Sequence, residues 1–285
     1  MDKLRSLLAV VDRLEHDVAV LDKAVFLARH FGATVELMLG DSTQACAFAN
    51  LCTAKGYDEV TLFSMFRGTE SMQDIVLRRV LTARPDLVIK APAGSHPLRR
   101  WTRDDNDWPL AHECPVPLLL VRDRPWTEPL HFAAAVDVAD REAESATRAI
   151  LQAGGFLTLG TRGHLDVLYS ESERADEARR LALAGKVAKL LRELHVGPER
   201  LQTFEGTPEV TLRPLLAARG YDVVLLSAVS HRDGIAASWS SLTSQLADAT
   251  PGDVLLVPCG SLATPTGIES HLLRQQRPYE KQQFV

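Results

Sequence analysis

The chain states its plan twice, and that duplication narrows the folds open to it more than any other feature. ARPDLVIKAPAGSH starts at Ala83 and ARGYDVVLLSAVSH at Ala218. Each sets an aspartate, Asp86 or Asp222, just before a short apolar run and then reaches Ser-His. PVPLLLV closes at Val121 and PGDVLLV at Val257, each at the same distance from its aspartate. Upstream, RSLLAVVD ends at Asp12 and HFAAAVD at Asp137, while RGTE from Arg67 and EGTP from Glu205 open the segment before each later aspartate. Self-similarity over this length means two copies of one folding unit. The expected units are residues 1–125 and 126–262, joined by RDRPWTEP, whose two prolines suit a boundary. Residues 263–285 lack a periodic apolar face and are expected to form an irregular tail.

Within each copy, short apolar runs alternate with helical patterns. Strands are expected near 5–11, 34–40, 59–65, 86–91 and 117–122, and again near 132–137, 164–169, 200–204, 222–227 and 254–258. ELMLG, VTLFSMF and LLLV are almost wholly apolar, as parallel strands covered on both faces must be. Between strands, Val18, Leu21, Val25 and Ala28 recur at helical spacing, and Leu181, Val187, Leu190, Leu191 and Leu194 give a long second helix to the second copy. QAGGFLTLG is ambiguous: its glycines argue against a helix, yet the strand spacing calls for one there. Strands alternating with helices imply a parallel α/β sheet with right-handed crossovers.

Composition removes several function classes. The 285 residues carry a net charge of −5, with 46% hydrophobic and 24% charged side chains, as a soluble globular chain does. The best basic-aromatic cluster, RRWTR at Arg99–Arg103, runs straight into DDND, so no nucleic-acid partner is expected. No apolar run approaches the roughly 20 residues of a membrane span, so no membrane partner is expected. The start MDKLRSLLAVVD does not read as a secretory signal. The four cysteines, Cys46, Cys52, Cys114 and Cys259, show neither CxxC pairing nor metal-ligand spacing. A reduced, cytoplasmic setting with cysteines used in packing is expected.

Two tandem α/β units, each with an aspartate closing its first strand, resemble the universal stress protein family. The likeness rests on VVD and AVD, on GTP…ARGYDVVLL, and on the loop after the fourth strand. DNDWPLAHECPVPLLLVRDRPW further resembles the segment around the fifth strand of the tandem E-type members. The resemblance implies an α/β fold of two doubly wound, Rossmann-like, five-stranded parallel sheets of order 3-2-1-4-5. The two halves then pair as a family dimer does, through their fifth strands around Leu119 and Leu255.

Family members that bind ATP are expected to use a loop of Gly, two residues, Gly, nine residues, Gly, then Ser or Thr. In the second half those positions are Ser227, Ser230, Ser240 and Ser241, so the length is kept and every glycine is serine. In the first half they are Ala91, Gly94, Asp104 and Asp105. Two carboxylates would there meet phosphate oxygens, and like charges ~4 Å apart repel by about 1–4 kcal/mol near a surface. Serine in place of glycine retains a small hydrogen-bonding group but adds a Cβ where the backbone must approach an anion. Ser240 and Ser241 suit a helix cap, with or without an anion. Asp12 and Asp137 complete the two candidate pockets at the ends of the first strands, where α/β sheets bind ligands; capping the following loop is the plainer role. His96 and His231 take matching places after the fourth strands, where solvated loop histidines are the expected reading.

Catalytic signatures are missing: there is no nucleophile elbow, no HExxH and no P-loop. SHRD at Ser230–Asp233 holds Ser, His and Asp on one loop, whereas a triad draws its members from separate elements. The sequence thus points to a non-enzymatic stress-response protein that binds a partner or small ligand, has degenerate ATP loops, and needs no cofactor or metal. The competing expectation is a sensor holding ATP or AMP in its second half.

Overall fold

Alternation along the strands sets the layers of this protein. In β1 (Ser6–Val11), Leu7, Ala9 and Val11 join one core cluster while Leu8 and Val10 join the other, and all five are buried. A strand covered on both faces needs helices above and below it. The computed structural model supplies them and describes residues 3–11, 14–40, 42–64, 71–92, 107–138, 141–171, 177–198, 200–228 and 236–258. The tail from Cys259 onward, including 263–285, lies outside the described residues.

The first half runs β1, α1 (Leu14–Phe31), β2 (Thr34–Leu39), a 3-10 turn and α2 (Ala45–Lys55), β3 (Val60–Ser64), α3 (Met72–Ala83), β4 (Leu87–Lys90), α4 (Asp107–Glu113) and β5 (Leu118–Leu120). The second runs β6 (His131–Val136), α5 (Arg141–Thr161), β7 (His164–Glu171), α6 (Glu177–Glu193), β8 (Arg200–Glu205), α7 (Pro208–Ala218), β9 (Val223–Ala228), α8 (Ala236–Ala249) and β10 (Asp253–Pro258). All ten strands fall within two residues or so of the sequence expectation. The order 3-2-1-4-5 holds in each half. The two sheets then fuse into one ten-stranded sheet, β3-β2-β1-β4-β5-β10-β9-β6-β7-β8. Every pairing is parallel except the central one, where β5 meets β10 antiparallel with Leu119 opposite Leu255. Helices α1, α2, α5 and α6 feed one core and α3, α4, α7 and α8 the other.

The repeated aspartates have a structural reason. Asp86 accepts the Arg5 and Ser6 backbone N–H groups through Oδ2, at 2.8 and 3.1 Å. Asp222 accepts the His131 N–H at 2.9 Å. Each carboxylate ties the start of its half's fourth strand to the start of its first, satisfying N–H groups that the ladder leaves over.

QAGGFLTLG is helical, the end of α5, despite its glycines. They serve packing. A Cβ at Gly154 would press on Leu165 at 3.2 Å, one at Gly155 would meet Val196 at 2.6 Å, and one at Gly160 would fall within the Phe31 ring. The propensity cost of glycine, about 1 kcal/mol per residue, is offset by the close approach it permits.

Two outcomes test this packing. Asp222→Ala should lower unfolding free energy by about 1–3 kcal/mol, since Asp222 is only 8% exposed and its loss strands the His131 N–H; denaturant titration measures it. Burial pushes the Cys114 thiol up to about 12, whereas Cys46 is exposed. Iodoacetamide mapping should therefore label Cys46 first and Cys114 only on unfolding. The unfolded thiol ionises from about pH 8.5 while the folded one stays protonated. The Cys114 contribution to stability is thus complete below that pH and declines as pH climbs toward 12.

Candidate functional site

In an open parallel sheet the ligand crevice lies beyond the strands' C-terminal ends, where neighbouring strands send their connections to opposite faces. In the second half that place is between β6 and β9, which pair directly through Ala134 and Leu225. Asp137 follows β6 immediately and is half-buried; Ser227 and Ala228 end β9 and are half-buried too. The structure thus brings Asp137 and Ser227, chosen from the sequence, to the ends of adjacent strands.

The turn carrying Asp137 is held from α5. The Thr147 hydroxyl accepts the Asp137 N–H at 3.0 Å and donates to the Asp137 carbonyl in a very short contact. Thr147 is 1% exposed, so both bonds are shielded from water. Next along, Val138 is fully buried, and its carbonyl accepts from Lys186 Nζ of α6 at 3.2 Å. On the other wall, Thr243 of α8 donates to the Ser227 carbonyl at 3.2 Å. Sequence reading missed Thr147, Lys186 and Thr243. Each is a polar residue on a helix whose partner is a main-chain group elsewhere, and no local motif marks that. The one available signal was a threonine on the otherwise apolar face of α5.

Ser240 and Ser241 do not cap a helix, as the sequence had suggested. Helix α8 starts at Ala236 and both serines lie inside it. The unshared N–H groups of a helix belong to its first turn, so those that could meet an anion come from residues before Ser240. Ser230 and His231 lie outside the described residues, as do Asp12, Gly94, His96, Asp104 and Asp105. In the first half Ala91 is half-buried after β4, and its carbonyl accepts from Lys90 Nζ at 2.8 Å. That lysine at the strand end has no counterpart in the second half, where Leu226 stands.

Among the described residues no group of three or more His, Cys, Asp or Glu side chains gathers as a metal site. No described helix is long and apolar enough to cross a membrane.

The described crevice, the tandem sheet and the strand-end aspartate can now be set beside known proteins. Universal stress protein E of Salmonella typhi is 24% identical over 215 residues, spanning 69% of this chain and 68% of that protein. A Haemophilus influenzae universal stress protein E homolog is 30% identical over 84 residues, 30% of this chain and 27% of its own. The chain is similar to universal stress proteins of the E type. A putative universal stress protein from Pseudomonas aeruginosa superposes with a TM-score of 0.76 at 20% identity, over 95% of this chain and 97% of that one. That likeness runs across the ten-stranded sheet as a whole, so the tandem universal stress protein fold covers both halves. No protein-family model matches the chain.

The Thr147 clamp is open to test. Thr147→Val keeps the shape and removes both hydrogen bonds to Asp137. It should cost about 1–3 kcal/mol and speed amide exchange at Asp137 and Val138 more than elsewhere. Denaturant titration and hydrogen-exchange mass spectrometry measure the two effects.

Proposed function

We propose that this chain is a non-enzymatic tandem universal stress protein that acts in the stress response by binding a partner or small ligand in the crevice of its second half. The observation that supports it is the second-half crevice: an anchored Asp137 turn faces Ser227 at the end of β9, while the three loop glycines of ATP-binding relatives are Ser227, Ser230 and Ser240 here. A pre-set turn with polar groups favours a ligand; serine Cβ atoms disfavour the close phosphate approach that glycine allows. In the first half, Asp104 and Asp105 at the phosphate end of the same loop repel an anion. Residues 1–125 and 126–262 act as the two units, 263–285 as a tail, and the protein works in the cytoplasm without a cofactor.

Catalysis is not part of this reading. Phosphoryl transfer needs a rigidly placed metal ligand, a positioned water and positive charge on the γ-phosphate. Asp137 is anchored in the described crevice through its backbone N–H and carbonyl, and Lys186 donates to a main-chain carbonyl. A second reading, a sensor that holds ATP or AMP in the second half, rests on the juxtaposition of Asp137 with the β9 end. A calorimetric titration with ATP and AMP separates the two. The first reading expects no binding tighter than about 10 µM, near −7 kcal/mol, with a measurable gain in ATP affinity after Ser227→Gly, Ser230→Gly and Ser240→Gly together. Tight nucleotide binding by the parent protein selects the sensor. Phosphate release above background with Mg²⁺, abolished by Asp137→Ala, overturns both.

A further inference from the structure

The two halves meet along a seam that is symmetric in backbone and asymmetric in chemistry. With Leu119 opposite Leu255, Val254 opposite Leu120 and Leu256 opposite Leu118, the seam has a local two-fold that matches Pro117 with Asp253 and Arg122 with Pro258. Helices α1 and α5 lie on one face of it and end at the same spacing before β2 and β7. Counting back from those ends matches Lys23 with Ala153, His30 with Gly160 and Phe31 with Thr161. Their burial agrees: Asp17, Val20, Leu21 and Leu27 are buried, as are Thr147, Ile150, Leu151 and Leu157.

On one side of the two-fold, Lys23 Nζ of α1 donates to both oxygens of Asp253 of β10, at 2.9 and 2.8 Å, and to the Arg122 carbonyl at 2.9 Å. The Arg122 N–H donates to Asp253 Oδ1 at 2.8 Å. The two side chains are 5% and 0% exposed. On the matching side stand Ala153 and Pro117, which carry no charge, and Pro258, which has no N–H to give. A second mismatch lies between the helices. The Phe31 ring fills the space a Cβ at residue 160 would occupy, and that residue is glycine; its mate in the first half is His30.

We infer that this seam accepts only an unlike half: a first-half surface pairs with one carrying a buried carboxylate on β10 and a glycine under Phe31, and like-with-like pairing is excluded. Two first halves would bury two unpaired Lys23 ammoniums against Pro117 and drive each Phe31 into a His30. Two second halves would bury two Asp253 carboxylates facing Ala153, each without its lysine and without the N–H that Arg122 supplies. A buried charge stripped of its partner is strongly unfavourable, and discrimination of this kind works by penalising the wrong partner. Burial already pushes the Lys23 pKa down and the Asp253 pKa up, so both ions depend on the contact they make. The specificity belongs to the seam and is independent of what the crevice binds.

The full chain with a protease site inserted between Asp123 and Arg124 is folded, cleaved, unfolded in denaturant and refolded by dilution, so that each half must choose a partner again. Native mass spectrometry then counts the pairs, which differ in mass. Unlike pairs should dominate by about a hundredfold or more. With Lys23→Met and Asp253→Leu together, second–second pairs should rise to an abundance comparable with unlike pairs. First–first pairs should stay scarce until Phe31→Thr is added. Like pairs above about a tenth of the unlike ones in the parent protein, no second–second pairs in the double variant, or a failure to re-pair in any combination would each overturn the inference.

Discussion

The contact between Lys23 and Asp253 is the point on which the assembled chain turns. Moving a carboxylate and an ammonium out of water costs about several kcal/mol per ion even after relaxation. Here the carboxylate is fully buried and the ammonium nearly so. The site recovers that cost by saturating both groups. Asp253 takes Lys23 on both oxygens and the Arg122 N–H on one; Lys23 also reaches the Arg122 carbonyl and lies 5.3 Å from the centre of the Trp126 ring. The Arg122 guanidinium then bonds the Gly252 and Ala247 carbonyls at 3.0 Å. One cluster thus fixes α1, the end of β5, the linker and the start of β10 relative to one another.

The rest of the architecture follows from that fixation. An apolar edge strand invites pairing with any chain that offers one. β5 and β10 are such edges, each buried among leucines and valines, and their antiparallel union closes both. The remaining edges, β3 and β8, carry polar residues among the apolar ones, Thr61 and Ser64 in β3 and Arg200, Gln202, Thr203 and Glu205 in β8, which discourages pairing with another chain. Across the seam the core is continuous: Phe31 stacks on Phe156 with ring centres 4.8 Å apart, and residues of both halves enter each of the two core clusters. The halves are repeats in topology and one body in packing.

The described walls of the second-half crevice are tied to the frame through main-chain groups. The Asp137 backbone is clamped by the Thr147 hydroxyl of α5, and Lys186 donates to the Val138 carbonyl. At matching sequence positions the second half carries serines and the first half Asp104 and Asp105, while the strand order of the two halves is the same.

The sequence by itself determined the duplication, the ten strands, their apolar character and the residues that end them. These depend on local periodicity, and a strand buried on both faces has few other ways to be written. It also pointed to Asp137, since an aspartate closes the first strand in both copies, and, through the family resemblance, to Ser227. It misread the start of α8: AASWSS offers several serines fit to cap, but the helix begins at Ala236, ahead of all of them, so Ser240 and Ser241 came out inside it. Only the tertiary structure decided why Asp86 and Asp222 recur, why α5 tolerates its glycines, and that Lys23 belongs to Asp253. The last pair is 230 residues apart in the chain. No pattern of spacing links two such positions; the folded seam does, because a buried charge must find its counter-charge wherever the fold places it.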